Sequence, residues 1–152
     1  SRQTAAEYIA KPDKKAVGVV KIFDEFFKES FIDETPQNIQ TVGDRVYIVP
    51  FDFRFSAVQI ARSGIFAGTV RNNRFVPEHA LFNNVAFSAR NIIDLGLDDE
   101  RVLRFLCGEE IACDGNLKGY TQVKVLGIPL GFGKASNGTL KNHYPKGLRV
   151  LK

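Results

Sequence analysis

Between Lys14 and Phe31 apolar residues return every three or four positions: Val19, Val20, Phe23, Phe26, Phe27 and Phe31, with Lys21, Asp24, Glu25 and Lys28 between them. That period predicts an amphipathic helix whose Phe-rich face needs a body to pack on. Its polar face mixes both signs of charge, which suits packing on protein better than lying on a membrane surface. Asp33 to Asn38, with Pro36 inside, reads as a linker. Shorter apolar runs follow and predict strands: Arg45 to Val49 ended by Pro50, Ala57 to Ala61 carrying Val58 and Ile60, and Ile65-Phe66 behind Gly64. Asn72-Asn73 predicts a hairpin turn between Thr69-Val70 and Phe75-Val76. Pro77-Glu78-His79-Ala80-Leu81 opens a short helix, because Pro is favoured in a first turn and Glu78 suits the positive end of the dipole.

In the second half, Asn91 to Leu95 reads as a short strand. Asp98-Asp99-Glu100 caps a helix through Arg101, Val102, Leu103, Phe105 and Leu106, stopped by Gly108. Beyond Asp114-Gly115 the texture changes, with glycines at 119, 127, 131, 133, 138 and 147 punctuating short apolar segments. Tyr120 to Leu126 and Ile128 to Phe132 are predicted strands, and Asn137-Gly138 is the strongest turn dipeptide in the chain. This end is a small β structure with tight turns.

Composition narrows the class. With 152 residues, 44% hydrophobic and 25% charged, the chain has ordinary globular proportions and enough length for a core. No apolar run approaches the 18 or so residues of a membrane span, so no membrane partner is expected. Ser1-Arg2-Gln3-Thr4 has neither a secretory nor a transit pattern. Cys107 and Cys113 then read as free thiols in a cytoplasmic protein. The absence of Met fits either loss of an initiator before Ser1 or excision from something longer.

The formal charge of +4 hides an asymmetry. From Gly115 to Lys152 there are seven basic residues (Lys118, Lys124, Lys134, Lys141, Lys146, Arg149, Lys152) and no acidic one, whereas the first 114 residues carry 14 basic and 17 acidic groups. Such a tail attracts polyanions. Arg45, Arg54, Arg62, Arg71 and Arg74 form a weaker concentration interrupted by Asp44 and Asp52. Arginine forks phosphates and stacks on bases, which Lys does not.

Catalytic chemistry is harder to find. Gly131-Phe-Gly133-Lys134 has the wrong spacing for a phosphate loop, and these glycines read as turn residues. His79 and His143 are far apart and the two cysteines lack metal-like partner pairs, so no metal site is expected. Helix capping and solvated surface account for Asp98-Asp99-Glu100 and Glu109-Glu110. The positive signal is Lys141-Asn142-His143-Tyr144-Pro145-Lys146-Gly147-Leu148-Arg149. Its cations can meet phosphates, and His143 and Tyr144 offer flat faces to an unpaired base. The same segment also reads as a terminal strand and turn with Tyr144 and His143 half-buried against the β structure.

Leu126-Gly-Ile-Pro-Leu-Gly-Phe-Gly-Lys134, Asn137-Gly138 and Leu140-Lys-Asn-His-Tyr-Pro-Lys-Gly-Leu-Arg149 resemble the C-terminal PUA-like domain of RsmF-type ribosomal RNA methyltransferases, bacterial enzymes of the Nop/Sun family. Arg62-Ser-Gly-Ile-Phe-Ala-Gly68 and Arg74-Phe-Val-Pro-Glu-His-Ala-Leu81 are similar to the preceding C-terminal region of the same enzymes. Relatives often have Trp where Phe132 and Tyr120 stand, which keeps the surface aromatic, and Ser where Glu78 stands. The resemblance implies an α+β architecture: an N-terminal helix with a small mixed α/β unit over residues 1–96, then a compact PUA-like β pseudo-barrel over 97–152.

It also implies the non-catalytic part of an enzyme that methylates carbon 5 of a cytosine in small-subunit rRNA. The family binds S-adenosylmethionine and attacks cytosine from a catalytic domain whose cysteines follow Pro and Thr. Here Cys107 follows Leu106 and Cys113 follows Ala112, so neither cofactor nor catalysis is expected of this chain alone. The implied RNA contacts are Lys134, Lys141, Asn142, His143, Tyr144, Lys146 and Arg149, with Arg62, Arg71 and Arg74 extending the track. The implied partners are rRNA and the methyltransferase domain, in cis or in trans. A scaffold that docks that domain and touches RNA little is the alternative, and it predicts an exposed apolar patch.

Overall fold

The structure is a computed structural model that describes residues 13–50 and 56–151. The described residues divide into two compact units: 13–27 with 35–50 and 56–78, and 28–34 with 79–151.

Helix α1 (Lys14–Ser30), which belongs to the first unit as far as Phe27, begins at Asp13, whose carboxylate accepts from the Lys15 N–H at 3.0 Å. Its apolar stripe is the one the period predicts. Val19, Phe23, Phe26 and Phe27 are buried, and the rings of Phe23 and Phe26 lie 5.0 and 4.6 Å from that of Phe75. Four antiparallel strands form a meander in chain order: β1 (Ile39–Val42), β2 (Arg45–Ile48), β3 (Ile65–Arg71) and β4 (Arg74–Pro77). Gly68 has no side chain because a Cβ there would stand 2.5 Å from the Phe75 ring. That absence lets the ring lie across the sheet.

Three sequence expectations change here. Strand β1 begins directly after the linker, where none was expected. Ala57 to Ala61, expected as a strand, is part of helix α2 (Ala57–Ser63). The decisive signal is local: the Ser56 hydroxyl accepts from the Gln59 N–H, and the Gln59 side chain accepts from the Ser56 N–H, a reciprocal capping box. Two β-branched residues at a period of two are too short a run to outweigh that start signal. Pro77 ends β4 instead of opening a helix, which begins at His79 as α3 (His79–Phe82).

The second unit is built on a five-stranded sheet of order β5-β7-β8-β9-β6. Its strands are β5 (Ile92–Leu95), β6 (Ile111–Ala112), β7 (Gly119–Val125), β8 (Ile128–Ser136) and β9 (Thr139–Asn142). Only β5 and β7 pair in parallel. Helix α4 (Glu100–Leu106) is capped by Asp99, which accepts from the Arg101 N–H at 2.9 Å. The Arg101 side chain grips the same carboxylate and holds its pKa down to about 2. One face of the sheet curls around Ile93, Leu95, Phe105, Ile111, Val123, Ala135 and Leu140. The mixed α+β class with a curled β unit is thus present.

Gly131 and Gly133 are not turn residues. Both lie inside β8, and a Cβ on Gly133 would stand 2.3 Å from the Lys141 carbonyl oxygen and 2.7 Å from Leu140 Cγ. Gly133 is glycine because backbone comes too close for any side chain, whereas at Gly131 the Phe105 and Tyr144 rings leave only tight room, 3.1–3.2 Å from a Cβ. The true turns are the two-residue hairpins at Leu126-Gly127 and Asn137-Gly138, where all four residues have positive φ.

Candidate functional site

The face of β7, β8 and β9 turned away from that core carries the site. Ladder register sets Tyr120 opposite Lys134, and Lys134 opposite Lys141. One residue from each of three adjacent strands therefore stands in a row. The Lys134 ammonium lies 5.3 Å from the centre of the Tyr120 ring, a cation–π contact. Neither Lys134 nor Lys141 has an ion-pair partner among the described residues.

Period-two alternation places a second row beside the first: Gln122 opposite Phe132, with the His143 N–H donating to the Phe132 carbonyl at 3.1 Å. Phe132 is buried, covered on one side by Phe82 of α3, whose ring stacks at 4.5 Å with planes 16° apart. The His143 ring also stacks on it, at 5.1 Å and 29°. Gln122 on β7 donates to the Phe82 carbonyl at 2.5 Å, whereas His143 continues β9, so the two rings reach Phe132 from the two strands that flank β8. Tyr120 meets the His143 ring edge-on at 6.1 Å. Three rings thus run across the sheet, and of the three only His143 reaches solvent.

Electrostatics follow from this packing. Burial pushes the His143 imidazole below its usual pKa, and Lys141 and then Lys134 push it the same way. Burial alone raises the Tyr120 phenol. The site therefore offers two ammonium groups beside a neutral imidazole and a neutral phenol.

The other implied contacts separate into groups. Asn142 points the opposite way from Lys141 and His143. Its Nδ2 donates to the Phe105 and Glu109 carbonyls at 2.8 and 2.9 Å, and its Oδ1 accepts from the Tyr144 N–H at 2.7 Å. Tyr144 packs against Phe105 at 5.4 Å and meets the His79 ring edge-on. Arg149 lies over Gly108 and donates to the Tyr144 carbonyl at 3.2 Å. Lys146 is exposed on a single 3-10 turn, Lys146–Leu148. In the first unit, Arg71 and Arg74 are exposed and face each other across the Asn72-Asn73 turn, and Arg62 is exposed in the last turn of α2. Arg54, from the wider arginine concentration, lies outside the described residues.

Tyr120 belongs to the site and was missing from the residues singled out for RNA. The signal that finds it is the strand alternation of Tyr120, Gln122 and Lys124 together with the β7–β8 hairpin, which fixes Tyr120 opposite Lys134. Among the described residues, no group of three or more His, Cys, Asp or Glu could hold a metal ion, and no helix is long and apolar enough to cross a membrane.

Two family models match the chain. Residues 93–150 match the PUA domain of methyltransferase RsmF, and residues 25–83 match the first C-terminal domain of RsmF rRNA methyltransferase. No match among curated proteins was found. The two matches together cover most of the chain. The chain therefore belongs to the RsmF methyltransferase family, of which it carries the C-terminal region.

Proposed function

We propose that this chain is the RNA-holding, non-catalytic portion of a cytoplasmic S-adenosylmethionine-dependent rRNA methyltransferase. It would steady a small-subunit rRNA segment while a catalytic domain, in cis or in trans, methylates carbon 5 of a cytosine. The RNA-binding domain is drawn over residues 97–152. The observation that carries this reading is the Tyr120–Lys134–Lys141 row, with His143 beside it and no ion-pair partner on either lysine. Unpaired ammonium groups next to half-buried aromatic rings suit a phosphodiester backbone with bases attached.

On this reading Lys134, Lys141 and Lys146 take phosphates, while His143 and Tyr120 take bases or sugar hydroxyls. Asn142, Tyr144 and Arg149 contribute through the loop they hold in shape. Arg62, Arg71 and Arg74 add phosphate contacts from the first unit. No residue here is assigned to S-adenosylmethionine, which belongs to the catalytic domain.

The test is fluorescence anisotropy with a small-subunit rRNA fragment over a salt series. Micromolar or tighter binding is expected, with a log–log salt slope that flattens by about 0.7 for each phosphate contact removed in Lys134→Ala and Lys141→Ala. Absence of binding at low salt would overturn the reading.

One observation favours docking instead. Leu97, Leu126 and Ile128 are 74%, 63% and 69% exposed, and the Leu126 N–H bonds to the Leu95 carbonyl, which keeps that turn beside the end of β5. Exposed aliphatic side chains gathered near one hairpin suit a protein partner. Affinity for a separately expressed catalytic domain that falls in Ile128→Asp would support this second reading.

A further inference from the structure

We propose that the ring stack Phe82–Phe132–His143 is a platform for one unpaired RNA base, which continues the stack on His143 and makes this site selective for single-stranded over duplex RNA. The inference deepens the RNA-holding reading and rests on it.

Three features of the second unit carry it. First, the stack has one open end. Phe82 and Phe132 are buried and His143 is half-buried, so a fourth flat group can join only there. Second, the ring at that end is held in place. Its backbone N–H is bonded to the Phe132 carbonyl, its inner face lies on Phe132, and the Tyr120 ring stands edge-on to it. A platform fixed by its own packing loses little entropy when a base lands on it. Third, the charges are placed for a single nucleotide. Lys141, two residues before His143, and Lys134, its cross-strand neighbour, flank the ring on the same face without ion-pair partners.

Duplex RNA cannot use such a site. Its bases already stack on each other and present only their edges, whereas an unpaired base offers a whole face. A duplex would still meet Lys134 and Lys141 through its phosphates, so it should bind, but without the contribution of the stack.

The experiment uses the 152-residue chain with a ten-nucleotide RNA carrying one 2-aminopurine, presented single-stranded or paired with its complement. The expected results are quenching of the 2-aminopurine on binding of the single strand, and affinity for the single strand above that for the duplex by roughly fivefold to a hundredfold, the range of one base–aromatic stack. His143→Ala should abolish most of this difference, chiefly by lowering single-strand affinity, while His143→Phe should preserve it. The unquenched wild-type complex would overturn the inference without any variant, so a folding failure in His143→Ala does not rescue it. Equal affinity for both RNA forms, insensitive to His143→Ala, would overturn the platform and leave the RNA-holding reading standing. No binding of either form at low salt would overturn both.

Discussion

Lys141 faces Lys134 directly across the β8–β9 ladder, and no carboxylate pairs with either among the described residues. Like charges directly opposite in a sheet are unfavourable, by about 0.2–1 kcal/mol. The free protein therefore carries a small electrostatic cost at this spot. Lys141→Ala is expected to stabilise the free protein by about that amount in urea denaturation, while weakening RNA binding and flattening its salt slope. Lys134→Ala should leave stability nearly unchanged, because relief of repulsion is offset by loss of the cation–π contact with Tyr120, worth about 0.5–1 kcal/mol. A Lys141→Ala variant that lost both stability and RNA affinity would show the lysine to be an ordinary structural residue.

His143 gives the site a pH dependence whose sign is fixed. Its folded-state pKa lies below the usual 6.5, through burial first, then Lys141, then Lys134. His79 is lowered as well, by burial. Below pH 6.5 the unfolded chain therefore binds more protons than the folded one, and stability falls with falling pH until each folded-state pKa is passed. Above pH 6.5 both rings are neutral in either state and the contribution is complete. In an NMR titration of the imidazole protons, Lys141→Ala should move the His143 midpoint upward, towards its usual value, and leave that of His79 in place. An unmoved His143 midpoint would separate the ring electrostatically from the lysine row.

Asn142 is the brace beneath the site. Its amide makes three hydrogen bonds at 2.7–2.9 Å and fixes the backbone that carries His143 and Tyr144. Asn142→Ala removes all three, an expected loss of about 2–4 kcal/mol at roughly 1 kcal/mol each. Asn142→Asp tests the donor alone. The bond from the Tyr144 N–H survives, but a carboxylate oxygen then faces the Phe105 and Glu109 carbonyls. The loss of stability in Asn142→Asp, measured against the unsubstituted protein at the same pH, should therefore be larger at pH 7 than at pH 4, where a protonated carboxyl can donate to one of them. Equal loss at both values would mean that the two carbonyls find other donors.

The hairpins were legible because they depend on neighbours in the chain. Asn72-Asn73 and Asn137-Gly138 occupy positive-φ turn positions, a preference of the residues themselves. The Asp99 cap and the apolar stripe of α1 were legible for the same reason. The helix at Ala57–Ser63 could have been read from Ser56 and Gln59, had the capping box been weighed above Val58 and Ile60. Gly133 could not, since its smallness answers to Lys141 and Leu140 on another strand. The same holds at the site. A basic, aromatic segment around residues 141–149 was visible, but which side chains share a face depends on register. Register joins Lys141 and His143 with Tyr120 and sends Asn142 the other way.

Leu126 holds φ at 49° beside Gly127 at 79°. This is the left-handed pair that a two-residue hairpin needs and that Asn-Gly supplies most readily. A branched aliphatic residue there pays about 1 kcal/mol over Asn or Gly, and burial gives little back, since Leu126 is 63% exposed. Leu126→Asn is therefore expected to stabilise the protein by about 0.5–1 kcal/mol and to raise Tm by about 1–4 °C, without changing RNA affinity. The same variant weighs the docking reading. If the exposed leucine serves a protein surface, the gain in stability should come with weaker capture of the catalytic domain. Loss of stability in Leu126→Asn would instead mean that the side chain packs with Leu97 and Ile128 strongly enough to outweigh its backbone strain.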